Sequence, residues 1–380
     1  MLFLDKKRFD MLLAKEGTPL CIYSEKGLRD TAKSLFGYFS DVQNLGFRFP
    51  VHVCPRKEIL SVLADENVGA YCQTPEELDL ALESGMAGSK IAYAAVVLPE
   101  STAKKLQEIN ATLLAASPAV LQGPLPRNVD LICSLRRTRQ NGVTDIGYHR
   151  AHVGLTRDEV WKFVPELMEK NINIGLAVVE SQNTTDVEHL GKKVNVLLRY
   201  AAEVSAATGA EIMRICPGEG PGFLYQRSVK TMDFAASAEH VAKAMEGREE
   251  TLHLNMSRCL MEPCGIYVAT VVDILYRGRP TLIVDATTEE MRVESVGRGR
   301  HMSIAGKEWI EGRQVCDVLG YMPTTQDWFS ERAILPVAEI GDKVVFHDVG
   351  ATVIPSANTT AYFYREDGTL EKLEHGEKQK

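Results

Sequence analysis

Eight times between about residues 29 and 265, a short apolar run is followed by a segment of helix length. Strands buried on both faces and separated by helices cannot close as hairpins. They need crossover connections, and so a parallel sheet. Eight such units predict a closed α/β barrel of the TIM type. The candidate strands are "FPVHVC", "VGAYCQT", "KIAYAAV", "ATLLAAS", "VDLICSLR", "NIGLAVVES", "AEIMRICPG" and "TLHLNM". Helix signals lie between them. In "TPEELDLALESG", Thr74 is placed to cap, Glu77 to complete a capping box, and Gly85 to stop the helix.

Beyond residue 265 the pattern changes to strands with few helices, "IYVATVVDILYRGRPTLIVDAT", "DKVVFHDVGATVI" and "TTAYFYREDGTL". Turn signals at Arg277 to Pro280 and Glu366 to Gly368 predict hairpins and a second, all-β domain. Two domains suit 380 residues, because single cores rarely grow past about 250 to 300.

Composition narrows the function. The chain carries 43 Lys+Arg against 51 Asp+Glu, net -8, without a basic stripe, so no nucleic-acid partner is expected. No apolar run approaches the roughly 18 residues of a membrane span, and the charges of "MLFLDKKRFDMLLAKEG" follow its first apolar residues, the reverse of a signal peptide. A cytoplasmic protein without membrane partners is expected. The eight cysteines form no CxxC pair and read as buried packing in a reducing compartment.

Several stretches, in order, resemble the ornithine/diaminopimelate/arginine decarboxylases, pyridoxal-phosphate (PLP) enzymes with an alanine-racemase-like barrel. "GTPLCIYSEKGLRD" resembles the family's opening strand and first barrel helix, and "ILSVLADENVGAYCQTPEELDLALESG" its second βα unit. "SKIAYAA" is similar to its third strand, and "HVGLTRDEV" to the turn before a later helix. "MEPCGIYVA" resembles its Glu-Pro-Gly-Arg segment, "GRQVCDVLG" its Cys-Asp loop, and "GDKVVFHDVGATVI" its final strand pair. The resemblance implies a barrel over 29–265 and a β-domain formed by 1–28 with 266–380, the strand near "PLCIYS" included. It also implies a homodimer whose sites take the Cys-Asp loop and last motif from the neighbouring subunit.

The same resemblance assigns site positions, and many hold the wrong residue. The family's cofactor lysine lies seven residues before the "IL" pair, which lands on His52; the nearest lysine, Lys57, follows Pro55. Imidazole forms no stable aldimine. Strand alternation would aim His52, and not Lys57, into the barrel mouth. Glu262 and Pro263 are kept, followed by Cys264 and Gly265 in place of the family's Gly-Arg; Glu262 is the position that bonds the pyridine nitrogen. "CPGEGPGF" keeps the cradle glycines Gly218, Gly220 and Gly222, but Glu219 adds a negative charge and Pro221 lacks an N–H. The tyrosine over the phosphate falls on Thr352 or is skipped in the alignment. The stacking histidine falls among Ala177, Val178 and Val179, while Ser181 and Gln182 are kept. The second strand's aspartate is Tyr71. Cys316, the proton-donor position, and Asp317 are kept, but the substrate-binding aspartate becomes Gly320.

These losses favour a family member that does not run standard PLP chemistry. Its mouth would be reassigned to another small, amino-acid-like ligand, to another reaction, or to a partner, with no covalently bound cofactor. One alternative is an active PLP decarboxylase, a lyase using Lys57. Another is a metal- or thiol-dependent enzyme built on His52, Cys54, Cys216 and Cys264, near strand ends where barrel sites form; their spacing matches no known metal cluster, and no metal ligand is assigned.

Overall fold

The structure is a computed structural model that describes residues 3–137, 143–146, 153–179, 183–225, 232–291, 301–307 and 309–374. Its chain forms two compact units. One comprises Ala32–Gly222 and Met232–Cys259, the other Met1–Thr31, Phe223–Thr231 and Leu260–Lys380.

The first unit is a closed barrel of eight parallel strands, taken in chain order: Leu45–Pro50, Gly69–Cys72, Ile91–Ala95, Thr112–Ala115, Asn128–Ile132, Asn173–Ala177, Ile212–Cys216 and Thr251–Asn255. Each predicted run supplies one of them. The eighth strand closes onto the first, with Leu252 opposite Leu45 and Asn255 opposite Arg48. Alternation fixes which residues face the lumen. In the first strand Phe47 packs on Phe36 of the helix Glu25–Tyr38 and on Phe39 just past its end, so Gly46 and Arg48 point inward. Towards the C-terminal mouth the lumen is filled by Tyr71, Ala92, Leu114, Ala116, Ile132, Ala177 and Cys216.

The connecting helices follow local signals. Helix Pro75–Glu83 starts at Thr74, whose hydroxyl accepts the Glu77 N–H, and Gly85 adopts φ +87° just past its end. The Glu77 carboxylate accepts from the N–H of Gln73 at 2.7 Å and also from that of Thr74, so the box reaches one residue further than expected. A full capping box forms at Thr156 and Glu159, opening Arg157–Glu169.

Three predicted strand limits are corrected. "FPVHVC" ends as a strand at Pro50, and Val51–Val53 turn as a 3-10 helix. "VDLICSLR" is divided between the barrel strand Asn128–Ile132 and the short strand Leu135–Arg137, which pairs with Val143–Ile146. "GRQVCDVLG" is not a loop: Arg313–Leu319 is a strand between Arg279–Val284 and Trp328–Pro336.

The second unit is a nine-stranded mixed sheet. Leu20–Ser24 lies between Gly265–Arg277, antiparallel to it, and Thr360–Tyr364, parallel to it. The hairpins form where the turn residues placed them, with Arg277 opposite Arg279 and Tyr364 opposite Leu370. Leu20, Ile22, Ile266, Val268, Val345 and Tyr362 bury one face against Phe9 and Leu12 of helix Lys6–Glu16. Where Gly265 passes Gly350, a Cβ would come within 2.5 Å of the Gly350 Cα, so side chains are excluded at this crossing.

Candidate functional site

Pro50 ends the first barrel strand, so the alternation expected to aim His52 inward stops two residues too early. His52 is exposed on the 3-10 turn, and Lys57 is exposed at the first position of helix Lys57–Asp65. Cys54 is buried beneath them. The turn interrupts the strand alternation before His52, so strand parity no longer fixes its direction.

The glycine loop after the seventh strand is closed by its own chain. Gly218 adopts φ +86°. The Gly220 N–H donates to the Asn255 carbonyl at 2.9 Å, and the Gly222 N–H donates to that of Thr184 at 2.9 Å. A Cβ on Gly220 would lie 2.5 Å from the Met256 sulfur, and one on Gly222 2.5 Å from the Thr184 oxygen. The glycines are therefore required by packing, whatever else they do. Between them the Glu219 carboxylate accepts from the Ser257 hydroxyl at 2.5 Å and the Arg258 guanidinium at 3.0 Å. Both members of that ion pair are largely buried.

In the sheet unit, Glu262 is fully buried on the turn before strand Gly265–Arg277. Its carboxylate accepts from the Tyr225 hydroxyl at 2.5 Å, the Ala351 N–H at 3.2 Å and the Thr352 hydroxyl. Thr352 thus serves Glu262. Cys264 lies next to this turn, its thiol directed at the Leu260 carbonyl at 3.2 Å, and burial pushes its pKa up to about 12.

Cys316 is also buried; burial, with Asp317 beside it, raises its thiol to about 11. Asp317 accepts from Arg279 Nε at 2.7 Å and the Arg332 N–H at 2.9 Å. A side chain at Gly320 would collide with the Asp327 carboxylate, which is itself held by Thr287, Thr288 and the Met322 N–H. Tyr71 faces the barrel lumen, where Gln73 donates to its hydroxyl at 3.3 Å. Ala177 and Val178 are buried and Val179 is exposed; Ser181 and Gln182 lie outside the described residues. Among the described residues, no group of three or more His, Cys, Asp or Glu is placed to hold a metal ion.

Sequence reasoning missed the polar set inside the barrel: Arg48, Asp130, Arg214, His253 and Asn255. Arg214 donates from Nε to Asp130 at 2.8 Å and from Nη2 to the Asn173 carbonyl at 2.8 Å. A signal was present, since an arginine between two phenylalanines in "LGFRFP" interrupts an apolar strand at inward parity.

A closed eight-stranded parallel barrel in one unit and a mixed sheet in the other define the architecture of fold-type III PLP enzymes. A family model described as pyridoxal-dependent decarboxylase, C-terminal sheet domain, matches residues 22–350, and the chain belongs to that family, the ornithine/diaminopimelate/arginine decarboxylases. It is 25% identical to Protein TabA of Pseudomonas amygdali pv. tabaci over 349 residues, covering 88% of this chain and 81% of that protein. Its fold is similar to that of diaminopimelate decarboxylase from M. jannaschii in complex with L-lysine, with a TM-score of 0.81, 18% identity and coverage of 95% and 91% of the two chains. The Helicobacter pylori diaminopimelate decarboxylase, also in complex with L-lysine, matches with a TM-score of 0.77, 17% identity and coverage of 96% and 97%. Among the described residues, no helix is long and apolar enough to cross a membrane.

Proposed function

We propose that this chain is a divergent member of the decarboxylase family that does not run PLP chemistry, with its barrel mouth serving another small, amino-acid-like ligand. One observation carries the reading: the glycine loop is closed on its own chain, with Glu219 between the glycines paired to Ser257 and Arg258. Its Gly220 and Gly222 amides are engaged by backbone carbonyls. A phosphate dianion brought to this loop would find those two donors occupied, and would have to break the Glu219–Arg258 pair to gain a cation there. The residues present therefore do not fit the cofactor's phosphate. Support also comes from the bonds that Tyr225, Ala351 and Thr352 make to Glu262, and from the exposed, noncovalent imidazole of His52 in the family's lysine position.

The test is titration with PLP followed by borohydride, on wild type and Lys57→Ala. The expected result is no visible aldimine band and no lysine adduct at the barrel mouth. A Lys57-dependent band accompanied by amino-acid decarboxylation refutes the reading and restores a lyase. We further propose a cytoplasmic homodimer, for which light scattering at micromolar concentration should give twice the 42.1 kDa chain mass; a monomer refutes it.

A further inference from the structure

Among the described residues, the barrel lumen contains a charge that its own side chains do not balance. Arg48 is 1% exposed, and none of its three guanidinium nitrogens has a hydrogen-bond partner among the described residues. Asn255 Oδ1, on the residue opposite Arg48 across the closing strand pair, and His253 Nδ1 are likewise buried without a partner. The carboxylate in the lumen, Asp130, is 1% exposed and bonded to Arg214. Arg48 and Arg214 against Asp130 leave one positive charge.

The other ionisable groups do not cancel it. Burial lowers the Arg48 pKa, yet a guanidinium starts above about 12 and remains charged at neutral pH. Burial, then Arg48 and Arg214, hold His253 well below its ordinary value, so it is neutral and adds no charge. Burial raises the Cys216 thiol despite the opposing pull of Arg48 and of the Gly218 N–H, so the thiol does not supply an anion. An unpaired ion taken out of water is strongly unfavourable, and a carboxylate facing the planar fork is its best complement.

We infer that Arg48 is the recognition residue of a ligand site in the barrel lumen, beneath the mouth, and that it takes the carboxylate of a small monocarboxylate ligand. Arg48 lies opposite Asn255, the last residue of the eighth strand, and opposite Gly69, the first of the second, two residues before its own strand ends at Pro50, so its guanidinium belongs to the lumen below the mouth. The charge suits this role: one uncompensated cation matches a monoanion better than a phosphate dianion. Asn255 and neutral His253 add an amide and an imidazole for a second polar group on the same ligand. This inference rests on the reading that the mouth serves a ligand other than PLP.

The experiment is a thermal-shift and calorimetric titration of the full chain with acetate, glycine, L-alanine and inorganic phosphate, against chloride at constant ionic strength. Wild type should show saturable stabilisation by at least one carboxylate. Arg48→Met should lose that response while melting, without ligand, at or above the wild-type temperature. Arg48→Lys, which keeps the charge without the fork, should bind at least tenfold more weakly, and it serves as the readout if the methionine variant does not fold. No carboxylate response in wild type, an undiminished response in either variant, or a response to phosphate alone overturns the inference. PLP absorbance is recorded on the same samples. An aldimine band alongside Arg48-dependent carboxylate binding refutes the proposed function and leaves this site standing; no band and no carboxylate response overturns this site alone.

Discussion

Replacing Asp130 by alanine should be among the most damaging single changes in the barrel. The carboxylate is 1% exposed and receives Arg214 Nε at 2.8 Å, while Arg48 in the same lumen has no hydrogen-bond partner among the described residues. Its removal leaves two buried guanidiniums facing no anion. Breaking a buried pair from one side costs about 3 to 5 kcal/mol, a large share of a typical stability of about 5 to 15 kcal/mol. Removing both partners is far milder, since an apolar pair of similar volume can replace a buried ion pair at little cost. The assay is urea unfolding followed by circular dichroism for Asp130→Ala and for Asp130→Leu with Arg214→Met, with m-values compared so that a change in midpoint reports stability. The double variant should recover at least half of the single variant's loss. A single variant within about 1 kcal/mol of wild type, or a double variant as unstable as the single, would refute the argument that charge imbalance governs this lumen.

Thr74→Ala removes the acceptor for the Glu77 N–H and should cost about 1 kcal/mol in the same assay. The bonds from Lys372 and then the Tyr362 hydroxyl lower the Glu16 pKa from 4.5 to about 2. Because the folded value is the depressed one, the associated stability is fully present above about pH 4.5 and is lost as pH falls towards 2; Glu16→Gln should flatten that part of a stability profile. All eight cysteines are buried, and burial raises the thiols of Cys133, Cys264 and Cys316 to about 12, 12 and 11. Ellman's reagent at pH 8 should therefore react with the native protein much more slowly than with the unfolded chain, and rapid labelling of one thiol per native chain would contradict this.

The barrel was legible because parallel strands covered on both faces must be apolar along their whole length, and such runs separated by amphipathic helices leave few other topologies. The hairpins at Gly278 and at Gly368 were legible because each turn needs a residue with positive φ, +84° and +88° here. What was not legible depended on where a strand stops. His52 belongs to an apolar run that continues past Pro50, and nothing in that run marks the change from strand to 3-10 turn. Cys316 was expected in a loop because its surroundings resemble one, yet "RQVCDVL" alternates well enough to pair on both edges. Helix Lys6–Glu16 was passed over because its first residues were weighed only as a targeting signal.

The glycine loop shows why the site was harder to read than the fold. A Gly-x-Gly-x-Gly pattern is compatible with amides aimed at an anion, but it is equally compatible with a backbone that must pass close to its neighbours. Here Met256 and the Thr184 carbonyl exclude side chains at Gly220 and Gly222, so packing alone accounts for keeping those glycines. Glu219 is the residue that separates the two cases, because a carboxylate paired with Arg258 can share the loop with a phosphate only at a large electrostatic cost. Arg48 carries the complementary lesson. The chain closes the glycine loop with its own carbonyls and, among the described residues, leaves the Arg48 guanidinium without a partner inside the barrel, which is why the proposed ligand is held from within the lumen and not by the loop.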